Sequence, residues 1–312
     1  MGDQNVEVDL LEADVAEGFG DEWEEIDVSD TDADRIARKR DREFLEFRER
    51  IKDADQFKVE ASVFDDATLG ALYKLVQDGH VDAFGGPLST GKEANVYLAA
   101  GPEGEVAVKI YRINASDFRS MRDYLEGDPR FEGIGSDKKK VVTAWTKKEY
   151  ANLRRARAAG VRVPDPVAVQ RNVLVMEFLG TDGQRAHRLN EVDIENPETA
   201  YEVVREYTRR LFDAGLVHGD LSEYNVVVHR GELALLDLGQ AVTVHHPNHR
   251  EFLERDCRNV ADFFARAGAD ADAAEFLGYV TRAREGDQEA PEDAPTVPET
   301  DRDTDATTED RP

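Results

Sequence analysis

The sequence predicts an α+β fold in two lobes, with a sheet-rich first part and a mostly helical second part. Three observations support this prediction. Strand-like runs separated by Gly-rich turns fill residues 81–112, and a long helical pattern follows at 136–160. Two more strand-like runs surround a polar turn within 166–180, after which helical patterns dominate. We place the boundary between the lobes near Leu179–Gly183.

Acidic residues concentrate at the two ends of the 312-residue chain, whose formal net charge is −27. Residues 1–34 contain 14 Asp or Glu and no Lys or Arg, and residues 285–312 contain 11 acidic and two basic side chains. Because both segments lack periodic apolar residues, we expect them to be disordered acidic tails. A solubilising role is favoured for them, and partner binding is the alternative.

Composition also excludes several classes of protein. A single cysteine, Cys257, excludes an internal disulfide and a cysteine-based zinc cluster. The acidic N-terminus is unlike a signal peptide, and no apolar run approaches the roughly 18 residues of a membrane span. We therefore expect a soluble, cytoplasmic and mostly monomeric protein that acts without a membrane.

Capping residues mark the predicted helices. Residues 35–62 form a charged N-terminal segment that is helical over 35–52, ahead of a folded domain at 63–284. Its first lobe is expected to end at about 179, and its second lobe at 284. Asp65 or Asp66 begins the first helix of the domain and Gly79 ends it; Ser136 or Asp137 begins the long helix. The remaining helices are expected at 196–215, about 249–268 and 270–284.

The Gly-rich turn in "GPLSTGKEANVY" nearly satisfies the Walker A spacing. Glu93, however, replaces the Ser or Thr of that motif, and a strand follows where a helix is required, so we reject the Walker interpretation. A turn of small residues between two strands can instead cover phosphates with its backbone N–H groups. On this motif alone, a plain hairpin is the alternative.

One lysine interrupts the apolar strand "EVAVKIYR", where burial is costly without a partner. This residue is Lys109, and Glu149 in the long helix follows it by 40 positions. A Lys–Glu pair between strand and helix holds the α- and β-phosphates of ATP in protein kinases. An exposed lysine on an edge strand is the alternative.

Two further segments contribute polar residues between strand-like runs. In "HGDLSEYN", Asp220 and Asn225 match the spacing of the kinase catalytic loop, with Gly219 in place of Arg. A carboxylate can take the proton of an incoming hydroxyl, and an amide oxygen can bind Mg²⁺ without adding charge. After a short hairpin, "LLDLGQ" supplies Asp237 as a second oxygen ligand for the same ion.

Together the motifs resemble the RIO family of atypical serine/threonine protein kinases, and its RIO-one subfamily in particular. The resemblance covers about residues 63–268. It implies a small two-lobed kinase fold without the usual activation segment, which uses ATP and Mg²⁺, with Mn²⁺ as an alternative ion. It also implies a role in late maturation of the small ribosomal subunit, with its precursor, RNA or proteins as partners. The motifs that carry the resemblance are "STGKEANVY", "AVKIYR", "WTKKEYANL", "LVMEFLG", "HGDLSEYN", "LDLGQ" and "HPNHREFLERDCRNVADFF".

The resemblance assigns expected roles to individual residues. Asp220 and Lys109 are catalytic, while Asn225 and Asp237 bind the metal ion. Asp237 is also expected to act in catalysis as a phosphate acceptor. Met176 is expected at the back of the adenine pocket, where the backbone of the two hinge residues Glu177 and Leu179 would bind the adenine edge. The expected nucleotide-binding residues are Ser89, Thr90, Gly91, Lys92, Glu93, Ala94, Asn95, Val96, Lys109, Glu149, Met176, Glu177 and Leu179.

Two positions differ from related kinases. Ordinary Ser/Thr kinases usually carry Lys two residues after the catalytic Asp, whereas this chain has Ser222. That difference fits slow ATP turnover better than fast phosphorylation of protein hydroxyls. The RIO family often has Ser or Pro at the position of Gly239, which leaves the local backbone as an open question.

Alternatives remain open for the activity and for one cluster of lysines. An aminoglycoside- or choline-type small-molecule kinase shares the Asp–Asn–Asp pattern, but "STGKEANVY" and "FLERDCRNV" argue against it. A pseudokinase that only binds nucleotide is disfavoured because Lys109, Asp220, Asn225 and Asp237 are all present. Five of the 11 lysines lie in 138–148, which suggests either a surface for RNA or phosphate or a solvated helix face.

Overall fold

A computed structural model describes residues 45–47, 49–50, 64–113, 118–131, 134 and 137–282. The predicted tails at 1–34 and 285–312 lie outside these residues, as does most of the helix predicted at 35–52. In the described part of that helix, Phe47 packs against Tyr73 and Phe84. No helix among the described residues has both the length and the hydropathy needed to cross a membrane.

A five-stranded antiparallel sheet forms the first lobe, with strand order β1-β2-β3-β5-β4. The central strand β3 carries Lys109, which lies opposite Val96 on one neighbour and Leu174 on the other. The predicted meander and the later strand pair are therefore confirmed. The strands are β1 (Ala83–Thr90), β2 (Ala94–Gly101), β3 (Gly104–Tyr111), β4 (Pro166–Gln170) and β5 (Val173–Glu177).

Three helices accompany this sheet: α1 (Asp66–Gln77), α2 (Phe118–Leu125) and α3 (Lys138–Ala158). Asp65 caps α1 by accepting from the Thr68 N–H at 2.7 Å. Asp137 caps α3 by accepting from two N–H groups of its first turn. The sequence analysis did not predict α2, which packs on α3 and is followed by a 3₁₀ turn at Pro129–Phe131.

The second lobe is mostly helical, as predicted. Its short strands include the hairpin of β10 and β11, which was expected between the two motifs predicted to bind metal. Its last helix is shorter than expected, because it begins only at Ala273. The elements are β6 (Gly180–Thr181), β7 (Gln184–Arg185), β8 (His187–Arg188), a 3₁₀ turn (Leu189–Glu191), α4 (Pro197–Asp213), β9 (Leu216–Val217), β10 (Val226–His229), β11 (Glu232–Leu235), β12 (Val242–Thr243), α5 (His249–Ala267) and α6 (Ala273–Thr281).

Separate apolar clusters stabilise the two lobes. One cluster joins α1 to the sheet through residues such as Leu72 and Val108. The largest cluster joins α4, α5 and α6 through residues such as Val204 and Phe264, and it extends to Leu153 on α3. Burying each of these large side chains contributes about 1.5–3 kcal/mol to the free energy of folding. Helix α3 thus contacts both lobes, and the polar residues on its inner face lie beside the candidate site.

Candidate active site

A cavity of about 470 Å³ lies between the sheet and the β10–β11 hairpin, a size typical of small-molecule and cofactor sites. Its walls include most of the predicted nucleotide-binding and metal-binding residues. Arg185, Arg188 and Tyr224 also line it, although sequence reasoning did not select them. The predicted residues that line the cavity are Ser89, Gly91, Lys92, Glu93, Ala94, Val96, Lys109, Glu149, Met176, Glu177, Leu179, Asn225 and Asp237.

Thr90, Asn95 and Asp220 are predicted site residues that do not line the cavity. Thr90 is exposed on β1. The buried Asn95 side chain accepts from the Gly91 N–H at 3.3 Å and from Arg112 Nη2 at 3.1 Å, and it donates to the Tyr97 hydroxyl at 3.3 Å. Asn95 therefore holds the turn between β1 and β2, and its side chain lies outside the cavity lining.

Lys109 binds two carboxylates at the inner end of the cavity. Its Nζ lies 2.7 Å from Glu149 Oε1 and 2.9 Å from Asp237 Oδ1. Burial alone would lower the pKa of Lys109, but Asp237 and Glu149 outweigh it and raise that pKa well above its ordinary value. Burial raises the pKa of Glu149, and Lys109 opposes this shift. Lys109 is therefore a fixed cation that connects β3 to Glu149 on α3 and to Asp237, which follows β11.

Tyr111 completes this cluster, and sequence reasoning did not identify it. Its hydroxyl donates to Glu149 Oε2, and the Lys109 ammonium lies 5.0 Å from its ring centroid. Both oxygens of Glu149 are thus engaged, which holds the carboxylate against rotation. The period-two alternation of β3 offered a signal, because it places positions 109 and 111 on one face of the sheet.

Met176, Glu177 and Leu179, which were expected to border the adenine, all line the cavity. The Glu177 carboxylate lies 2.6 Å from Arg162 Nη2, and the Glu177 N–H donates to the Asp165 carbonyl at 2.7 Å. These contacts occupy the Glu177 side chain and its N–H group. Any contact from Glu177 to a base would therefore involve its backbone carbonyl.

Asp220 and Asn225 lie in the loop between β9 and β10. Asn225 Nδ2 donates to the Asp220 carbonyl at 2.8 Å and to Asp220 Oδ2 at 3.2 Å, which points its amide oxygen away from that carboxylate. Burial and the negative charge of Asp237 both raise the pKa of the Asp220 carboxyl. The loop thus presents one carboxylate for proton transfer beside one amide oxygen suited to a cation.

Asp256 on α5 holds this loop, although the sequence showed it only within a longer motif. It is buried and accepts from the Gly219 N–H at 2.7 Å and the Leu221 N–H at 2.9 Å. Burial raises the pKa of Asp256 to about 7, and the two N–H groups oppose this. Its neighbour Arg255 donates to the Gly219 carbonyl. Asp220 therefore lies between two residues whose backbone groups α5 holds.

The backbone at position 219 favours Gly over the Arg found in the ordinary kinase loop. Its φ is +78°, and a Cβ placed there would lie 2.8 Å from the Gln240 carbonyl oxygen. We expect Gly219→Ala to lower the free energy of unfolding by more than the roughly 1–2 kcal/mol of left-handed strain, because the Gln240 carbonyl must also move. Chemical denaturation measures this loss.

Gly231 offers a matched control for that substitution. Its φ is +81°, but nothing lies within 4 Å of a Cβ built there. Gly231→Ala should therefore lower the free energy of unfolding only by the roughly 1–2 kcal/mol of left-handed strain, and it should leave phosphoryl transfer unchanged. Equal losses of stability in the two variants would contradict the proposed contact with Gln240.

Asp237 has a left-handed backbone conformation, with φ of +60°, which is uncommon for a residue with a side chain. Its side chain is 51% exposed. Partial removal from water works to raise the pKa of Asp237, but the Lys109 ammonium outweighs this and lowers that pKa. The carboxylate is thus ionised and open to the cavity, which suits a ligand for a hard cation such as Mg²⁺.

Gly239, where the family often has Ser or Pro, faces two aromatic side chains. A Cβ at this position would lie 3.0 Å from the Tyr111 hydroxyl and 3.1 Å from Trp145 Nε1. These contacts are tighter than ordinary packing, so a side chain here would displace an aromatic residue that lines the cavity. Glycine therefore fits the packing of this chain.

Lys148 corrects the interpretation of 138–148 as one basic surface. Lys138, Lys139 and Lys140 are exposed, but Lys148 is 0% exposed. Its Nζ donates to the Gly239 carbonyl at 2.9 Å and lies 4.7 Å from the Trp145 ring centroid. Burial, and then the charge of Arg130, lower the pKa of Lys148 to about 7. Lysines 147 and 148 differ in burial because helical periodicity turns them to different faces.

The lowered pKa makes stability depend on pH. Between pH 7 and the ordinary lysine value of 10.5, the unfolded chain binds a proton at Lys148 that the folded chain does not. The free energy of unfolding should therefore rise with pH across this window, by at most about 1.4 kcal/mol per pH unit from this group. Urea denaturation of Lys148→Met should show a smaller slope than the wild type; parallel slopes would contradict the shift.

Comparisons with known proteins support the fold and the family. Residues 95–276 match the RIO domain family. The chain is 71% identical over 276 residues to the RIO-type serine/threonine-protein kinase Rio1 of Haloferax volcanii, a match that covers 88% of this chain and 95% of that protein. It is 35% identical over 270 residues to the Methanocaldococcus jannaschii protein of the same name, covering 86% and 92% of the two chains.

More distant relatives match as well. The human serine/threonine-protein kinase RIO1 is 40% identical over 224 residues, which cover 70% of this chain and 39% of the human protein. The crystal structure of the Rio2 kinase of Chaetomium thermophilum, as an ADP/Mg²⁺-phosphoaspartate complex, aligns with a TM-score of 0.54 at 22% identity. That alignment covers 69% of this chain and 67% of the other, and it shows a shared two-lobed kinase-like fold.

Proposed function

The chain belongs to the family of RIO-type serine/threonine protein kinases, and on this premise we propose that its cavity binds ATP with Mg²⁺, or alternatively Mn²⁺, for phosphoryl transfer. The main support for this proposal is the set of contacts made by Lys109. Lys109 bridges Glu149 and Asp237 inside a cavity of about 470 Å³ that Asn225 also lines. Positioning and charge neutralisation are the main needs of phosphoryl transfer, and this arrangement supplies both.

The residues present fit a divalent metal ion. Asn225 and Asp237 offer an amide oxygen and an ionised carboxylate, and oxygen ligands of this kind suit Mg²⁺. When bound, the ion would neutralise phosphate charge and orient the phosphates. Lys109 would hold the α- and β-phosphates while Glu149 keeps its ammonium in place, and the turn at 89–96 would cover the phosphates.

Asp220 is proposed as the base that accepts the proton of an incoming hydroxyl. Asn225 and Asp256 orient it, the first through direct hydrogen bonds and the second through the backbone on either side. Its raised pKa favours a carboxylate that can accept a proton. Met176 and the backbone of Glu177 and Leu179 are proposed to border the adenine.

Asp237 is proposed as a second phosphate acceptor, which would make the chain an ATPase as well as a kinase. Its carboxylate is half exposed and faces the cavity where the γ-phosphate would lie. The Chaetomium thermophilum Rio2 kinase was solved as a phosphoaspartate complex, which supports this chemistry by analogy. Ser222, in place of the usual Lys, fits slow turnover.

A single-turnover incubation with γ-labelled ATP and Mg²⁺ tests these proposals. Hydroxylamine-labile label that is lost in Asp237→Ala would support an aspartyl-phosphate ATPase. Acid-stable label on Ser, lost in both Asp220→Ala and Asp237→Ala, would support a hydroxyl-directed kinase. A wild-type chain that binds nucleotide but shows neither label nor hydrolysis would contradict the enzymatic function.

For its setting, we propose that the chain acts in the cytoplasm as a monomer on the precursor of the small ribosomal subunit. The folded domain is proposed to span 63–284, with its lobe boundary near 179. Family membership supports the ribosomal partner, and exposed Lys138, Lys139 and Lys140 offer positive charge for RNA. Co-sedimentation with small-subunit precursors at several salt concentrations tests this; no co-sedimentation even at low salt would contradict it.

A further inference from the structure

A chain of buried polar side chains runs from the segment after α2 to the residues that follow Asp237. Arg130 Nη2 lies 2.7 Å from Asp128 Oδ2, and Arg130 Nη1 donates to Asn152 Oδ1 at 2.8 Å. Asn152 Nδ2 in turn donates to the carbonyls of Leu238 and Ala241, each at 3.0 Å. Asp128, Arg130 and Asn152 are all buried. The three side chains therefore link one buried ion pair to the backbone beside Asp237.

The amide of Asn152 has only one orientation that satisfies its neighbours. An arginine can only donate hydrogen bonds, so it requires the amide oxygen. The two backbone carbonyls can only accept, so they require the amide nitrogen. A rotated amide would turn its NH₂ group towards Arg130 and its oxygen towards two carbonyls. Arg130 thus fixes the direction in which Asn152 donates.

The segment held by Asn152 is the one that sets the conformation of Asp237. Lys148 binds the Gly239 carbonyl, so the side chains of α3 hold three of the four carbonyls from residue 238 to residue 241. Asp237 directly precedes this segment in a left-handed conformation, which is unfavourable for a residue with a Cβ. Such a conformation persists only when contacts with the surrounding structure hold the backbone in place.

We propose that Asn152, oriented by Arg130, is a positioning residue that holds Asp237 ready to bind the metal ion. The inference rests on the proposed function, in which Asp237 is a metal ligand. Helix α3 carries Glu149 as well, so the helix that orients Lys109 also sets the Asp237 backbone. A buried ion pair such as Asp128–Arg130 adds little net stability, because its desolvation cost offsets the attraction. In several proteins such buried polar groups instead select one arrangement of the chain.

The proposal predicts a selective effect of Asn152→Leu, which removes both carbonyl contacts at similar volume. Affinity for Mg²⁺ in the presence of nucleotide should fall about 10- to 100-fold, as is typical when a residue supporting a metal ligand is lost. Affinity for ATP in EDTA should stay close to the wild-type value, because Asn152 does not line the cavity. Calorimetric titration with Mg²⁺ and with metal-free ATP separates the two quantities.

Two further variants make the test decisive. Thr146→Val is the matched control, since Thr146 is also buried on α3 and its hydroxyl donates to the Val142 carbonyl of its own helix. Arg130→Lys retains the charge beside Asp128 but cannot keep the planar fork that reaches Asn152. Arg130→Lys should therefore lower Mg²⁺ affinity, as Asn152→Leu does. If Asn152→Leu does not fold, Arg130→Lys still tests the proposal.

Asp237→Asn distinguishes failure of this inference from failure of the proposed function. Loss of Mg²⁺ affinity in Asp237→Asn, Asn152→Leu and Arg130→Lys, but not in Thr146→Val, would support the inference. Loss in Asp237→Asn alone would overturn the inference and leave the metal site standing. Equal loss of Mg²⁺ and metal-free ATP affinity in Asn152→Leu would also overturn it. An unchanged Mg²⁺ affinity in Asp237→Asn would overturn the proposed metal site and the inference with it.

Discussion

Replacing Lys109 by Met is expected to lower the free energy of unfolding by about 3–5 kcal/mol and to abolish phosphoryl transfer. Lys109 lies between two carboxylates, and Glu149 is only 1% exposed. Without the ammonium, a buried carboxylate loses its cation, and removing one partner of a buried ion pair is far more costly than removing the whole pair. The catalytic loss follows because no other cation touches both Glu149 and Asp237 among the described residues.

Chemical denaturation of three variants tests this prediction. Lys74→Met is the matched control, because Lys74 forms an exposed pair with Asp78 at 2.6 Å. A surface pair of this kind contributes about 0.2–1 kcal/mol. The double variant Lys109→Met/Glu149→Gln should regain part of the lost stability but none of the activity. A loss in Lys109→Met no larger than in Lys74→Met would contradict the buried pair.

Asp220→Asn is expected to slow phosphoryl transfer about 10²- to 10⁴-fold, the range typical of removing a general base. Affinity for ATP should change little, because Asp220 does not line the cavity. The substitution keeps the shape of the side chain, and the new amide oxygen can still accept from Asn225. Single-turnover transfer and a separate measurement of ATP binding resolve the two quantities.

The control for Asp220→Asn is Asp193→Asn, a change of equal charge at an exposed position in the second lobe. It should leave both the transfer rate and ATP affinity at wild-type values. If Asp220→Asn slows phosphoryl transfer by less than tenfold, Asp220 is not the general base. A large decrease with equally weakened ATP binding would instead indicate a structural role in the loop.

Local sequence determined the elements of the fold and the family of the protein. Strand-like runs between turn residues predicted β1 to β5, and capping residues such as Asp137 and Asn196 predicted where helices begin, because these signals act within a few residues. The spacing of Asp220, Asn225 and Asp237, which also lie close together in the sequence, suggested the chemistry that is proposed for the site. The unpredicted α2 is only eight residues long, too short for its apolar periodicity to stand out, although Ser116 and Asp117 before it are residue types that often cap helices.

Only the tertiary structure decided which polar residues support that site. Nothing in the local sequence separates Lys148 from the exposed lysines 138–140 of the same helix, yet its bond to Gly239 spans 91 positions. The bonds of Asn152 to Leu238 and Ala241 span 86 and 89 positions, and the bond of Asp256 to Gly219 spans 37. Local patterns carry no information about contacts at such separations, because hydrogen bonds between distant segments depend on how the lobes pack. The sequence by itself therefore determined the groups that are proposed to do the chemistry, and the packed structure decided what holds them in position.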